Sequence, residues 1–600
     1  MKKLKKILLI CSIALCFCLL VGCGASQEAE TPAVTEAPTA SPEPTPTPAP
    51  ITPEEAAATG TASLTAFADY GEVFAEVQEL QSVEETEAEP SSLRCALSDG
   101  NLTGSGTVCM SGELVYALSE KDLVIYRLSG ETGELLSTTR VGTAWSTTTD
   151  DATGAFTGSE KTPLALFLSG TRLAVVLDVY GYEGTTGTIS YSEYVGVDIY
   201  DVSDAAAPVC LAGFGQDGVF SDAWMSGGTL CLATKYSIYD AADASDTGAY
   251  VPALYNGTAS SILDVSSLYA ASFARCSGCA VFGAYSLENA AQSGAAAVYG
   301  ADADTVRAVP GSLFLTETCN ISAPSRTMSD ETGTYTEYAA VACTELYRFD
   351  YDASGIRLAV SAVVNGVLPE ENGVAKTDTG YTIFSEQIGS YYNQYESGEL
   401  VTTQELSGGI LCLLDDSLVC TAKLDALPDG SAVTWAGAAS GTLLVSGEST
   451  SYAVDAVSLT ISGEIGGDPL DADVLLPWKD GGFAAFRQDA AGQMTLSLCD
   501  ASLAKTAERT FGSDFSGTLE NLASYIALPE KNLLGFAADD SYCLYSEQNG
   551  EITFAADIFL TDWSRNARAV EQDGRLAVID TKEIILCDPD TLETVTTLTF

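Results

Sequence analysis

The chain has 600 residues, with 82 acidic and 27 basic side chains, a formal net charge of −55 and no histidine. The absence of histidine excludes Ser-His-Asp and Cys-His nucleophile systems and histidine-ligated zinc or haem. The strong negative charge disfavours contact with a nucleic-acid backbone, which needs clustered lysine and arginine, so nucleic acid is not an expected partner.

Residues 1–22 have the pattern of an export signal, in which a lysine-rich start precedes an apolar run too short for a comfortable membrane span. The run ends in a motif that resembles a bacterial lipobox, formed by Leu20, Val21, Gly22 and Cys23. That resemblance implies cleavage before Cys23 and lipidation of its thiol. The alternatives are an ordinary signal peptide or an uncleaved anchor. We therefore expect an extracytoplasmic protein held at the cell membrane by its lipid alone.

Residues 23–60 and 61–91 form two segments ahead of the main domain. The first follows Cys23 with many prolines among Thr, Ala and Glu, which predicts an extended, semi-rigid linker. The second begins with apolar residues at helical spacing, which predicts one short amphipathic helix. These residues are Leu64, Phe67, Tyr70, Phe74, Val77 and Leu80. The acidic stretch "SVEETEAEP" that follows is expected to be a solvated tether.

Residues 92–600 repeat a phrase of short apolar strands separated by Gly, Asp, Ser and Asn turns. Examples are "GELVYALSEKDLVIYRLSGETGELLSTT" from Gly112 and "DGRLAVIDTKEIILCDPDTLETVTTL" from Asp573. A small antiparallel sheet cannot bury both faces alone, and radial stacking of such sheets solves this problem. The fold class predicted is therefore all-β, a β-propeller of about seven or eight blades. Two tandem β-sandwiches are the alternative.

One segment of the repeat region carries a family resemblance. The strand exit "YDVSDAAAP" from Tyr200 to Pro208, followed by "SDAWMSGGTLCLAT", resembles bacterial secreted lipoproteins with a C-terminal β-propeller domain distantly related to WD40 repeats. The lipobox, linker and short helix match the layout of that family. Its members usually carry an acidic "VDEAD"-type segment at the first blade, which "GNLTGSGTVCMSGELVYAL" lacks. The resemblance implies a fold and a location, but it does not assign a biochemical activity.

Most cysteines lie in apolar strand-like runs, where they replace Val or Ile as small buried residues. Cys276 and Cys279 have the C-x-x-C spacing of a disulfide or a metal site. A single C-x-x-C without a second one favours a local disulfide or free thiols over metal.

Catalytic and metal-binding motifs are sparse. Ser502 and Lys505 satisfy S-x-x-K, but their strand-turn-strand context and the lack of a following K-T-G favour coincidence. Asp350 and Asp352 match the first half of a calcium loop, although Ser361 stands where such a loop has glutamate, and a hairpin turn explains the segment as well. We therefore expect no cofactor, with Ca²⁺ at these aspartates as the alternative.

Two tyrosine-rich segments are the candidate binding loops, since rings beside small polar residues suit sugar stacking or peptide recognition. Their members are Tyr180, Tyr182, Tyr191, Tyr194, Tyr391, Tyr392 and Tyr395. The alternative is that these rings pack within the fold. The function predicted is a monomeric, non-catalytic module that binds or scaffolds a surface protein or glycan. The alternative function is a polysaccharide hydrolase or lyase that uses carboxylates or tyrosines on one propeller face.

Overall fold

The computed structural model describes residues 52–58, 64–82, 91–97, 103–104 and 106–600, all within the unit Pro50–Phe600. The last range has gaps at 130–131, 151, 186–187, 239–240, 258, 273–275, 370–371, 440–441, 466–468, 490, 503, 513–523, 539, 562–566 and 573. The lipobox motif, Leu20, Val21, Gly22 and Cys23, and most of the predicted linker and acidic tether lie outside the described residues.

The described residues form nine β-sheets, each built on four antiparallel strands taken in chain order, which we number as blades 1 to 9. The fourth strand is largely exposed in most blades, as in Ile461–Ile465 of blade 6, so the fourth strand is outermost and the first innermost. Consecutive blades share clusters of buried apolar side chains. A further cluster joins Val115 and Ala117 of blade 1 to Ile584 and Leu586 of blade 9, which closes the ring.

The prediction of an all-β propeller is confirmed, and two tandem sandwiches are excluded by this closed radial packing. The number of sheets differs from the seven or eight blades expected, because the described residues form nine. The reason is that blade length varies along the chain. Blades 6 to 9 have short connections within residues 435–599, whereas blades 2 to 5 carry long extensions.

The strands of each blade are given from the innermost outward. Blade 1 has Val108–Ser111, Leu114–Ser119, Asp122–Ser129 and Thr132–Arg140, and blade 2 has Phe156–Ser169, Arg172–Thr185, Thr188–Asp201 and Val209–Asp217. Blade 3 has Val219–Ser226, Thr229–Tyr236, Cys279–Ser286 and Ala291–Tyr299. Blade 4 has Val306–Val309, Ser312–Ser329, Thr334–Asp352 and Gly355–Asn365. Blade 5 has Val374–Thr377, Gly380–Glu386, Gly409–Asp415 and Cys420–Leu424. Blade 6 has Trp435–Ala439, Thr442–Ser446, Ser451–Val454 and Ile461–Ile465.

Blade 7 has Val474–Pro477, Phe483–Gln488, Met494–Cys499 and Lys505–Thr510. Blade 8 has Ile526–Leu528, Leu533–Ala538, Ser541–Gln548 and Glu551–Phe559. Blade 9 has Arg568–Gln572, Arg575–Ile579, Glu583–Cys587 and Thr594–Thr599. Additional strands join blade 2 (Thr143–Thr149, Ala253–Asn256, Ala259–Ile262), blade 3 (Thr65–Ala66, Thr103–Gly104, Leu268–Ala270), blade 4 (Gly389–Tyr395, Leu400–Leu406) and blade 6 (Arg94–Ala96). Short 3₁₀ turns are Thr247–Ala249, Val265–Ser267, Ala303–Thr305, Lys479–Gly481 and Pro529–Lys531.

Two α-helices, α1 (Pro53–Ala57) and α2 (Tyr70–Leu80), precede the blades. The apolar spacing predicted a helix from the first of its residues, but α2 begins only at Tyr70. The reason is a capping box, in which Asp69 accepts a hydrogen bond from the Glu72 amide at 3.0 Å and Glu72 accepts one from the Ala68 amide at 2.8 Å. Within the described residues, neither helix has the length and apolar character that a bilayer crossing requires.

The connections between second and third strands all lie on one face of the ring, which we call the upper face, because successive strands alternate in direction. On this face blades 2 and 4 extend their second and third strands, and blades 3 and 5 carry insertions at residues 237–278 and 387–408. The blade 5 insertion pairs with the blade 4 extension, as Tyr338 opposite Tyr392 illustrates. Blades 1 and 6 to 9 have short turns there, so the elaboration is confined to blades 2 to 5.

An N-terminal segment, which we call the strap, lies along the inner edges of the blades and comprises residues 91–97 and 103–104. Arg94–Ala96 pairs in parallel with the innermost strand of blade 6, and Thr103–Gly104 pairs with the innermost strand of blade 3. The Ser92 hydroxyl donates to Glu386 of blade 5 at 2.6 Å, and Arg94 lies 3.5 Å from Asp473. Since inner edges border the central channel of a propeller, the strap lies in that channel.

Aspartates open the turn between the third and fourth strands in six blades, which explains the repeated Asp of the sequence phrase. They are Asp201, Asp352, Asp415, Asp455, Asp500 and Asp588. At Asp455 one carboxylate oxygen accepts the amide of Ser458 at 2.8 Å and its hydroxyl at 2.8 Å. Hydrogen bonds from the turn hold the pKa of five of these carboxyls, those of Asp201, Asp352, Asp455, Asp500 and Asp588, below the usual range.

We expect these turns to make the protein acid-sensitive. A folded-state pKa below the unfolded value stabilises the fold above the unfolded value, and this contribution is lost as pH falls through the folded pKa. A variant with these five aspartates changed to asparagine keeps a hydrogen-bond acceptor in each turn but has no carboxylate there. Its melting temperature should be below that of the unmodified protein at pH 7, and the gap should close below the ordinary aspartate pKa of 3.8. A gap that stays constant with pH would contradict this assignment.

Candidate binding site

Lobe 1 is the part of blade 2 that extends above the ring, and it consists of strand Thr143–Thr149 with the adjoining parts of the first three strands. The register places Tyr182 opposite both Gly158 and Tyr191, and it places Tyr180 opposite both Glu160 and Glu193. Directly opposed residues point to the same side of a sheet, and residues two apart along a strand do so as well. These side chains therefore share one surface of lobe 1.

Aromatic rings cover that surface, and we call the set Trp145, Phe156, Tyr180, Tyr182 and Tyr191 the aromatic face. The Trp145 ring centroid lies 5.2 Å from that of Tyr182 and 6.0 Å from that of Tyr180, and Tyr180 lies 6.4 Å from Tyr191. Trp145 is 44% exposed, Tyr180 39% and Tyr191 65%. Three large rings are thus held beside one another while they remain open to solvent.

The rings of Tyr182 and Trp145 lie directly over the backbone of Gly158. A Cβ atom at this position would lie 2.6 Å from Cε1 of Tyr182 and 3.0 Å from Cζ2 of Trp145. Any side chain here would displace the rings, since real contacts of a Cβ atom are longer than these. The glycine therefore allows both rings to lie flat against the strand.

Lobe 2 is formed by the blade 4 extension and the hairpin inserted in blade 5, and it contains a groove of about 390 Å³. The groove is lined by Ser325, Glu337, Tyr391, Tyr392, Asn393, Thr403 and Gln404. Arg326 donates to Glu337 from Nε at 2.6 Å and from Nη2 at 3.3 Å, which fixes the carboxylate. Tyr392 stacks on Tyr338 with ring centroids 5.2 Å apart. The groove thus combines rings with amides, hydroxyls and one carboxylate.

The structure places the predicted tyrosines in paired strands, not in loops, and gives them different roles. Tyr180, Tyr182 and Tyr191 belong to the aromatic face, and Tyr391 and Tyr392 line the groove. The other two pack within the fold. Tyr194 stacks on Tyr255 with ring centroids 4.1 Å apart, and the Tyr395 hydroxyl donates to Asp330 at 2.6 Å.

Several residues of both lobes escaped the sequence analysis. Trp145 and Phe156 lie outside the tyrosine-rich segments, and Glu337 and Gln404 come from strands that carry no recognised motif. Asn393 lies within the second tyrosine-rich segment, but only its tyrosines were candidates. The signal that could have found Trp145 is its position as a lone large ring in "TAWSTTT", a strand of small polar residues. A buried tryptophan is normally accompanied by other apolar residues.

The remaining sequence candidates have structural partners. Ser502 donates to Asp500 at 2.6 Å and Lys505 contacts Glu508 at 2.7 Å, so these two side chains are engaged separately. Asp350 accepts hydrogen bonds from Ser312 at 2.8 Å and from Arg348 at 3.2 Å. The Asp352 carboxylate accepts the amide of Ser354 at 2.7 Å within the turn at residues 353–354.

The candidate disulfide pair lies in blade 3 and its insertion. Cys276 and Cys279 are both buried thiols in the structure, and Cys276 donates to the Ala301 carbonyl at 3.2 Å. Burial raises the pKa of Cys276 to about 11, so this thiol is protonated at neutral pH. A disulfide between them stays a prediction. No cluster of metal-ligating side chains occurs among the residues that the structure describes.

A larger cavity of about 710 Å³ lies between blades 6 and 7. Its basic side chains are paired with acidic ones, since Arg487 contacts Asp471 at 3.2 Å and Lys505 contacts Glu508 at 2.7 Å. Aromatic rings are absent from the described residues that line it. The two lobes therefore remain the stronger candidates for recognition.

Comparison with known proteins gives the family and little else. No curated protein matches the chain. Among solved structures, the WD40 beta propeller domain of Doa1 is 13% identical with a TM-score of 0.20, over 37% of this chain and 65% of that one, which is less than two thirds of its length. A family model described as a beta propeller domain matches residues 106–434, more than half of the chain, from just before blade 1 to the end of the connection that follows blade 5. The chain therefore belongs to the beta propeller domain family.

Proposed function

We propose that this protein is a lipid-anchored, extracytoplasmic scaffold that binds an uncharged glycan through the lobes of its upper face, without catalysis. The observation that carries the proposal is the aromatic face, in which Trp145, Tyr180 and Tyr191 remain exposed and Gly158 leaves room for the rings of Trp145 and Tyr182. Aromatic rings supply large contact area at low entropic cost and suit the apolar faces of sugar rings. The anchor and the location are supported by the lipobox-like motif at Cys23.

The negative charge of the protein favours uncharged glycan chains as ligands. The protein carries a net charge of −55, and Glu193 lies beside Tyr180 on the aromatic face, whereas Glu160 on the other side of Tyr180 pairs with Lys121 at 2.9 Å. Acidic polysaccharides would be repelled by this field. Carboxylates accept hydrogen bonds from sugar hydroxyls, so a neutral glycan gains contacts where an acidic one would lose them.

The enzyme alternative receives less support. Glycoside hydrolysis ordinarily needs two carboxyl groups that flank the scissile bond. Glu337 is the one acid among the described residues that line the groove, and on the aromatic face Glu160 is held in an ion pair with Lys121 at 2.9 Å. The strap lies along the inner edges of the blades, which is where a site at the channel mouth would have to form. A binding role needs neither a second acid nor an open channel.

The test is a glycan array probed with the full-length protein, followed by affinity measurements on the neutral polysaccharide captured best. Trp145→Ala should weaken binding about tenfold or more, which corresponds to about 1.4 kcal/mol. Gly158→Ala should have a similar effect, because its methyl group displaces the rings of Tyr182 and Trp145.

The matched control is Phe559→Ala, an aromatic side chain that is 70% exposed on the outermost strand of blade 8, far from lobe 1 in the ring. It should bind like the unmodified protein. Capture of acidic glycans only would overturn the proposal. So would pull-down of a protein partner without any glycan binding, or degradation of a polysaccharide by the unmodified protein.

A further inference from the structure

Both lobes project from the same face of the ring. Lobe 1 extends from the second and third strands of blade 2, and lobe 2 from the second and third strands of blade 4. The topology is the same in both blades, so both extensions leave the ring in the same direction. Blade 3 alone separates them, and its insertion pairs with the fourth strand of blade 2, as Tyr255 opposite Gly215 shows.

Each lobe offers a separate contact surface of limited size. Lobe 1 presents exposed rings on a sheet surface, whereas lobe 2 presents a groove of about 390 Å³. A groove of this volume is at the small end of ligand sites, and a flat set of rings encloses little of a ligand. Neither lobe alone provides the enclosure that strong binding of a short sugar needs.

The two surfaces share the same chemistry although they differ in shape. Each combines tyrosine rings with a carboxylate, Glu193 beside Tyr180 on lobe 1 and Glu337 beside Tyr391 in lobe 2. On lobe 2 the amides of Asn393 and Gln404 add hydrogen-bond donors and acceptors. Two surfaces that suit the same ligand class, on one face and with one blade between them, can contact a single long chain.

We propose that the aromatic face of lobe 1 and the groove of lobe 2 are two subsites for one polymer, so that the protein selects long neutral polysaccharides over short oligosaccharides. This inference rests on the proposed function and specifies its ligand. Binding at the second subsite becomes intramolecular once the first is occupied, and such linkage raises affinity by about 10²–10⁴-fold without any new contact.

The experiment compares a long neutral polysaccharide with its own short oligosaccharide in four full-length proteins: unmodified, Trp145→Ala, Tyr391→Ala and the double variant. The dissociation constant of the unmodified protein for the polymer should be at least about 10²-fold lower than its dissociation constant for the oligosaccharide. Either single variant should lose this advantage. For the oligosaccharide, the single variants should instead bind one molecule where the unmodified protein binds two.

Because Tyr391 also packs against a buried cluster of lobe 2, Gln404→Ala serves as a second variant of the groove, and Phe559→Ala is the control outside both lobes. Equal affinity for polymer and oligosaccharide in the unmodified protein would overturn the two-subsite proposal while glycan binding stands. The two-subsite proposal would also be overturned if both single variants kept the full ratio between their affinities for polymer and oligosaccharide. Absence of binding to either sugar would instead remove the proposed function itself.

Discussion

Replacement of Leu97 by alanine is expected to lower the free energy of unfolding by about 2–5 kcal/mol, the usual range for loss of a buried leucine side chain. Leu97 belongs to the strap and is 1% exposed. It packs in the cluster between blades 5 and 6, together with Cys95, Leu411 and Val433. The substitution leaves a cavity at a junction of distant parts of the chain. Denaturant unfolding, or the melting temperature by calorimetry, measures the effect.

Leu135→Ala is the matched control, since Leu135 is 51% exposed on the outermost strand of blade 1. Its stability should stay within about 0.5 kcal/mol of the unmodified protein, as for most surface substitutions. Equal stability of the two variants would show that the strap does not contribute to the packed core. The comparison isolates burial, because both variants lose the same atoms.

The strap has this importance because of how the ring closes. Blade 9 takes all four strands from residues 568–599 and blade 1 all four from residues 108–140, so no strand is shared between the first and last blades. Closure depends on side-chain contacts, which include the packing of Val115 and Leu586 and a hydrogen bond from Arg568 of blade 9 to the Val108 carbonyl of blade 1. The strap adds backbone pairing to blades 6 and 3. It thereby links parts of the ring that are not neighbours.

The blades themselves could be predicted from the sequence because their signals are local. Apolar strands alternate with turns, and the turn aspartate that ends the third strand is explained by hydrogen bonds within a few residues, as at Asp455. Repetition of this pattern through residues 92–600 favours one repeated sheet. The length of each blade was not predictable in this way, since insertions in blades 3 and 5 interrupt the repeat.

The strap and the lobes depend on pairings between distant residues, which one sequence does not reveal. Arg94 pairs with Trp435, and the parallel segment is only three residues long. Strand Thr143–Thr149 is exposed along its whole length, so it lacks the alternation of apolar and polar residues that marks a strand. The tyrosines of lobe 1 are predicted in loops because small polar residues surround them in the sequence. Their residue types indicated recognition, but their register and neighbours came only from the fold.

Replacement of Trp435 by alanine is expected to lower the free energy of unfolding by about 3–5 kcal/mol. Trp435 is 1% exposed on the innermost strand of blade 6, and its indole Nε1 donates to the Ala472 carbonyl at 2.7 Å. The indole covers Gly437, where a Cβ atom would lie 2.5 Å from Cη2 of the ring. Alanine would leave a cavity and an unpaired buried carbonyl. Trp435→Phe should lower the free energy of unfolding by less, because it keeps much of the ring, although it also loses the hydrogen bond.

Trp435 and Trp145 together separate stability from recognition, since the same substitution is made in opposite environments. Trp145→Ala removes a ring that is 44% exposed, so it should leave the melting temperature nearly unchanged while it weakens glycan binding. Trp435→Ala should lower the melting temperature, yet its folded fraction should bind as tightly as the unmodified protein, because Trp435 lies in neither lobe. A loss of both properties in Trp145→Ala would show that the ring supports the fold of lobe 1 and would argue against a direct contact with the ligand.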